Sequence, residues 1–210
     1  MARRTEIDVM FVAGPPGAGK TTVTEGYQAA YGRSDQFGTG ELVWGVRSND
    51  IDSRYRDQVQ LVASEGRHMP GDLFSAVVRE RILRASDKVE TVMVTGFPHE
   101  QDDWEDFLES VDGDGMHLLG SIALEVSRDV SIARMQQRDV RRGLDASTVY
   151  SDAEVALYRR RYQGLMSRHA IRLECYRLAD LRVVPVSGES PPGQVLSDFS
   201  DAIDSLKKEG

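Results

Sequence analysis

Apolar residues in this chain gather into short dense runs, and between the runs they recur at helical spacing. The runs at 9–13, 91–95, 121–126 and 181–186, with a shorter one at 36–37, have the length and the β-branched or aromatic content of strands. The intervening pattern differs. Val195, Leu196, Phe199, Ile203 and Leu206 fall on one helical face. Leu73, Val77, Val78 and Ile82 do the same behind Asp72, which the pattern makes an N-cap. Strand and helix alternate along the chain, which predicts an α/β fold with a parallel sheet and helices on both faces. No internal repeat, low-complexity tract or interdomain linker breaks the order, and "SVDGDGMH", residues 110–117, reads as a turn cluster. With 210 residues, 40% of them hydrophobic, one domain with a sizeable core is expected.

The first strand runs into "GPPGAGKTT", Gly14 to Thr22, and this stretch carries chemistry. Gly14, Gly19, Lys20 and Thr21 occupy the fixed positions of the phosphate-loop pattern, between a strand and a helix as that pattern requires. At average composition such a match arises by chance about one time in a hundred in a chain this long, before the strand–loop–helix context is counted. Glycines let consecutive N–H groups turn inward onto an anion, and the helix starting near Lys20 aims its positive end at the same point. Lys20 adds a full charge for the outer phosphates, and the Thr21 hydroxyl can ligate Mg²⁺. Gly17, Ala18 and Thr22 complete the expected ATP cradle.

Charge sharpens the picture. A net charge of −8 argues against nucleic acid as the main partner. No apolar stretch approaches membrane-spanning length and no signal-peptide core follows "MARRTEID", so no membrane partner and a cytoplasmic location are expected. The single cysteine, Cys175, excludes an internal disulfide and reads as a small buried apolar residue. Against the acidic background, the segment from Arg134 to Arg182 holds eleven arginines, no lysine and six acids. Arg168, Arg172 and Arg177 read as a solvated helix face. The exclusive use of arginine elsewhere in the segment suits forked contacts to phosphate oxygens, which makes it a candidate anion clamp.

Further stretches carry a resemblance. "GPPGAGKTT", "FGTGELV", "EGRHMPGDLFSAVVRERIL", "TGFPHE", "ARMQQRDVRR", "SDAEVALYRRRY" and "VSGESPP" occur in the order and spacing of the motifs of the adenylate kinase, or nucleoside monophosphate kinase, family. The resemblance covers nearly the whole chain. It implies a P-loop three-layer fold with a five-stranded parallel core, a helical acceptor-binding insert at about 39–67 and a short lid at about 139–151. ATP is then the co-substrate and Mg²⁺ the cofactor. Arg134 is expected on the adenine, with Ser190 in the late loop beside it. Arg138, Arg141 or Arg142, and Arg160 or Arg161 are expected around the transferred phosphoryl group. Arg161 is preferred to its neighbour because the apolar stripe Val155, Tyr158, Tyr162 and Leu165 then keeps the family register. Thr39, Gly40, Glu41, Trp44, Gly96 and His99 are the corresponding acceptor-side positions.

The departures from the family pattern cluster on that acceptor side. Thr95 stands where the family has an acid that helps hold the Mg²⁺ hydration shell, so metal binding is expected to be weaker unless Glu41 compensates. Trp44 and His99 stand where the family grips the acceptor phosphate with arginines. The plain alternatives are an insert-packing tryptophan and a surface loop histidine; otherwise Arg47 or Arg54 takes over the clamp. A protonated His99 would still hold an anion, and its grip would weaken as pH rises from 6 to 8. The expectation is an ATP-dependent phosphotransferase acting on a small acceptor, such as a nucleoside monophosphate other than AMP. The alternative is a nucleotide-binding protein with a degenerate site and little turnover.

Overall fold

The computed structural model describes residues 6–111, 115–141 and 152–209. Five strands, β1 (Ile7–Ala13), β2 (Ser34–Gly38), β3 (Thr91–Thr95), β4 (Met116–Glu125) and β5 (Val183–Ser187), form one sheet. Their order is β2-β3-β1-β4-β5, and every pair is parallel. The helices are α1 (Lys20–Tyr31), α2 (Thr39–Ser48), α3 (Arg56–Ser64), α4 (Gly71–Ala85), α5 (Gln101–Val111), α6 (Arg128–Arg141), α7 (Asp152–Leu178) and α8 (Pro192–Glu209).

The alternation of β1 explains the layering. Successive side chains on a strand point to opposite faces, so β1 feeds two cores. Ile7, Val9, Phe11 and Ala13 pack with α3, α4, α5 and the end of α7, while Met10 and Val12 pack with α1 and α8. The first core centres on Phe11, whose ring meets Phe97, Trp104, Phe107 and Tyr176 at centroid distances of 5.2–6.1 Å. Phe11 is fully buried, and truncating such a ring to alanine typically costs about 3–5 kcal/mol.

The sequence pattern places each element, with boundary differences. Strand β2 is five residues long rather than the two-residue run at 36–37. Strand β4 begins at Met116, ahead of the dense run, because its first residues are only half-buried. Pro70 rather than Asp72 precedes α4, and Asp72 sits in the first helical turn, where a carboxylate favours the helix dipole. Of the turn cluster, 112–114 lie outside the described residues.

Chain order crosses from β3 to β4 over the central β1. Ligands of open parallel sheets bind at the strand C-terminal ends beside such a switch point. The loops leaving β1, β3, β4 and β5 meet there.

Candidate active site

The phosphate loop joins β1 to α1 and is held by its neighbours. Gly14, Gly17 and Gly19 have φ of 146°, 74° and 93°, which L side chains rarely adopt. A Cβ at Gly17 would also lie 2.9 Å from the Ser131 carbonyl, so α6 packs directly on the loop. Ser131 Oγ donates to the Pro16 carbonyl at 2.5 Å. Arg134 donates to the carbonyls of Gly17 at 3.3 Å and Gly188 at 2.9 Å, tying the phosphate loop to the loop after β5, which carries the half-buried Ser190. Ala18 is buried, whereas Thr21 and Thr22 are exposed at the start of α1.

Lys20 folds back over the loop, donating from Nζ to the carbonyls of Gly14 at 2.8 Å and Pro15 at 2.9 Å. Burial, with the Arg172 and Arg138 guanidinium groups adding to it, lowers its pKa to about 8. Arg172 on α7 and Arg138 on α6 thus both act electrostatically on Lys20. Arg138 and Arg161 approach Asp139 from α6 and α7, at 4.0 Å and 3.3 Å, and the Tyr158 hydroxyl donates to the same carboxylate at 2.9 Å. Asp139 thus gathers the arginines at the α6–α7 junction. Arg160 is exposed on α7. Tyr158, Tyr162 and Leu165 pack against Ile132 and Met135, the core role expected for the tyrosines. The side chain of Arg141, the whole of Arg142 and most of the expected lid lie outside the described residues.

Across the crevice, the ends of β2 and β3 carry the expected acceptor positions. Thr39 Oγ1 donates to the Gly96 carbonyl at 3.1 Å, and the φ of 86° at Gly96 turns that carbonyl toward α7. Gly40 and Glu41 are exposed in the first turn of α2. Trp44 is 63% exposed, with Arg47 lying 5.6 Å over its ring, so it is no packing residue of the insert. Arg54 lies over Tyr55 at 4.8 Å. His99 stacks on Phe74 with centroids 4.7 Å apart, and its backbone N–H donates to Asp103 Oδ2 at 2.8 Å. Burial first, then Arg172, Arg168 and His68, push the His99 pKa down to about 4. His99 is therefore neutral between pH 6 and 8, and a protonated grip fading across that range does not follow.

Comparison with known proteins agrees with this arrangement. The adenylate kinase of Leifsonia xyli subsp. xyli is 27% identical over 194 residues, which cover 92% of each chain. Adenylate kinase isoenzyme 1 of Cyprinus carpio is 24% identical over 199 residues, 95% of each chain. The UMP-CMP kinase of Homo sapiens is 29% identical over 108 residues, 50% of this chain and 54% of that one. No protein-family model matches the chain. The strand order and the phosphate loop agree with this similarity.

The chain is similar to adenylate kinases over more than nine-tenths of its length and to UMP-CMP kinases over half of it. These relatives are nucleoside monophosphate kinases.

Two features of the site were missed by the sequence reading. Arg172 is not on a solvated face: it is 9% exposed and donates from Nη2 to the Gly96 carbonyl at 2.9 Å. His169, one turn earlier, is equally buried, and burial with Lys20 and Arg172 nearby lowers its pKa to about 4. The available signal was helical register. Cys175 and Tyr176 are apolar enough to face the core, and counting back from Tyr176 by four and seven gives Arg172 and His169. By contrast, Arg168 and Arg177 are exposed as expected, and Arg177 pairs with Glu174.

Thr95 is buried at the end of β3, its hydroxyl 3.4 Å from the Phe37 carbonyl. A Cβ at Gly38 would lie 3.3 Å from Thr95 Oγ1 and 3.6 Å from Glu41 Oε2, so the Glu41 carboxylate reaches the neighbourhood of Thr95. Among the described residues no group of three metal-binding side chains occurs, and no helix is long and apolar enough to cross a membrane. A cavity of about 440 Å³ between α1, α2 and α4 lies apart from the crevice. Among its charged residues Arg81 pairs with Asp35 at 2.5 Å and Arg84 with Glu80 at 2.9 Å.

Proposed function

We propose that the chain transfers the γ-phosphoryl group of ATP to a small acceptor, such as a nucleoside monophosphate other than AMP. The observation that carries this reading is Lys20 folded over the phosphate loop, with Arg138 and Arg161 drawn together by Asp139 at the α6–α7 junction. Phosphoryl transfer asks little covalent chemistry of a protein; it needs two substrates aligned and positive charge around the transferred oxygens. Loop N–H groups hold the donor phosphates, and Lys20 exchanges its two loop carbonyls for phosphate oxygens. Arg138 and Arg161, already drawn together by Asp139, stabilise the equatorial oxygens, with Arg141 or Arg142 as their lid partner. Arg134 and Ser190 border the adenine side.

The donor set suits Mg²⁺ carried in on the phosphates. Thr21 offers an exposed hydroxyl and Glu41 a carboxylate able to hold coordinated water, and this ion retains much of its hydration shell. When bound, it would neutralise charge on the donor phosphates.

The buried Thr95 favours a second reading, nucleotide binding with little turnover, since its hydroxyl already faces a backbone carbonyl. A screen of nucleoside monophosphates and other small acceptors, following ADP formation from ATP, tests both. Acceptor-dependent ADP formation supports transfer. Tight ATP binding with no ADP from any acceptor supports the second reading.

A further inference from the structure

Charges removed from water are normally paired, because an unpaired one loses its hydration without compensation. The crevice below the phosphate loop breaks that pattern. Neither Lys20 nor Arg172 has a carboxylate within ion-pair distance among the described residues; each donates only to backbone carbonyls. The Arg172 Nε and the His169 Nδ1 are shut off from solvent and have no hydrogen-bond partner among the described residues. Both side chains are nine-tenths buried. The nearest acid acting on Arg172 is Asp103, and one of its oxygens already accepts the N–H groups of His99 and Glu100.

These side chains are not loosely placed. The Tyr176 hydroxyl donates to the Phe97 carbonyl and Arg172 donates to the Gly96 carbonyl, so two turns of α7 are pinned to consecutive residues of the β3 exit loop. Arg172 acts electrostatically on Lys20 on one side and on His99 on the other. It therefore spans the gap between the donor loop and the acceptor loop. Trp44 points to solvent beneath Arg47, and His99 is neutral, so neither supplies positive charge there.

We propose that Arg172 and His169 form the anion clamp of the acceptor subsite, gripping a phosphate monoester from the α7 side of the crevice. This rests on the phosphotransferase reading above. A guanidinium with one arm fixed on Gly96 still presents a planar fork to two phosphate oxygens, which a lysine would not. The imidazole adds a third contact, and it gains a proton as the dianion arrives. The acceptor is thereby defined as a phosphorylated small molecule whose remaining body extends toward α2.

The test uses the whole protein with AMP, CMP, GMP and UMP, and the four nucleosides as phosphate-free controls. Binding is followed by calorimetry and by the imidazole NMR signals of His169. At least one monophosphate should shift those signals and bind about tenfold or more tighter than its nucleoside. Arg172→Met should remove that advantage while changing ATP affinity less than about twofold; Arg172→Lys should restore part of it. His169→Gln should weaken the same monophosphate by a smaller factor, and it carries the test with Arg172→Lys if Arg172→Met does not fold. No response of His169 to any of the four monophosphates overturns the proposal. So does monophosphate binding unchanged in Arg172→Met, or ATP weakened as much as the monophosphate. A protein that binds a monophosphate through Arg172 yet forms no ADP refutes the phosphotransferase reading and supports the clamp.

Discussion

The two sides of the crevice are built by different rules. The donor side is backbone: glycines at positive φ, loop carbonyls tied by Ser131 and Arg134, and one lysine. A backbone cradle recognises any polyphosphate of the right length, so it tolerates little change and leaves a contiguous motif in the sequence. The proposed acceptor side is side chains from β2, β3, α2 and α7, and here the resemblance puts Thr95, Trp44 and His99 where charged residues are expected. Side-chain recognition can be moved from one element to another without disturbing the fold. The lesson is that donor chemistry is conservative for a geometric reason, whereas acceptor choice is set by replaceable groups.

The largest effect should come from breaking the donor side. Lys20→Ala should lower the rate of ADP formation by about two to three orders of magnitude, the scale of one preorganised charge, with the thermal midpoint little changed. Unchanged turnover in that variant would remove the phosphate loop from the reaction.

Next comes the attempt to make the acceptor side resemble the family. Trp44→Arg with His99→Arg adds two guanidinium forks to the Arg172 clamp and should raise activity toward AMP about tenfold or more, at the expense of the native acceptor. If Arg47 or Arg54 already served as the clamp, the double variant would do little, and kinetics with AMP distinguishes the two cases.

Arg138, at Asp139 and acting on Lys20, sharpens the donor side when replaced. Arg138→Lys keeps the charge but loses the fork, so the maximal rate should fall about tenfold while ATP binding weakens less. Equal kinetics in variant and parent would return Arg138 to a surface role.

The metal should give effects of a few-fold. Glu41→Gln should raise the Mg²⁺ concentration needed for half-maximal activity, and Thr95→Asp should lower it. Indifference of both variants in magnesium titrations would move the metal elsewhere.

The smallest effect is on stability. His99 and His169 have folded pKa values near 4, below the ordinary 6.5. The unfolded chain therefore binds protons that the folded chain refuses, and stability falls as pH drops from about 6.5 toward 4. His169→Gln should flatten that fall by about 1 kcal/mol or more, read from denaturation midpoints at pH 6.5 and 4.5. A parent protein equally stable at both values would contradict the burial assigned to these rings.

How much was legible beforehand follows the same division. The strands, the two-faced sheet and the phosphate loop depend on local apolar runs and contiguous glycines, which a single sequence displays. The shift of β4 to Met116 was hidden because its opening residues are half-buried and mixed in polarity. Arg172 and His169 were hidden for another reason. On a long helix whose apolar residues do not keep to one face, arginine count alone does not say which arginines face inward; the exit loop of β3 at Gly96 decides it. Trp44, expected on the acceptor side with insert packing as the alternative, is exposed on a helix whose other face is buried, which removes the packing alternative. The assignment of Arg134, Arg161 and Ser190 to substrate roles came from the family resemblance, and their positions at the loop and hub now give those proposals a geometry to test.

The central claim, a retained donor side facing a rewritten acceptor side, is tested most directly by steady-state kinetics of the parent protein with ATP and AMP. The account predicts ATP-dependent turnover with another phosphorylated acceptor and only poor phosphorylation of AMP. Phosphorylation of AMP with a Michaelis constant in the micromolar range would contradict it.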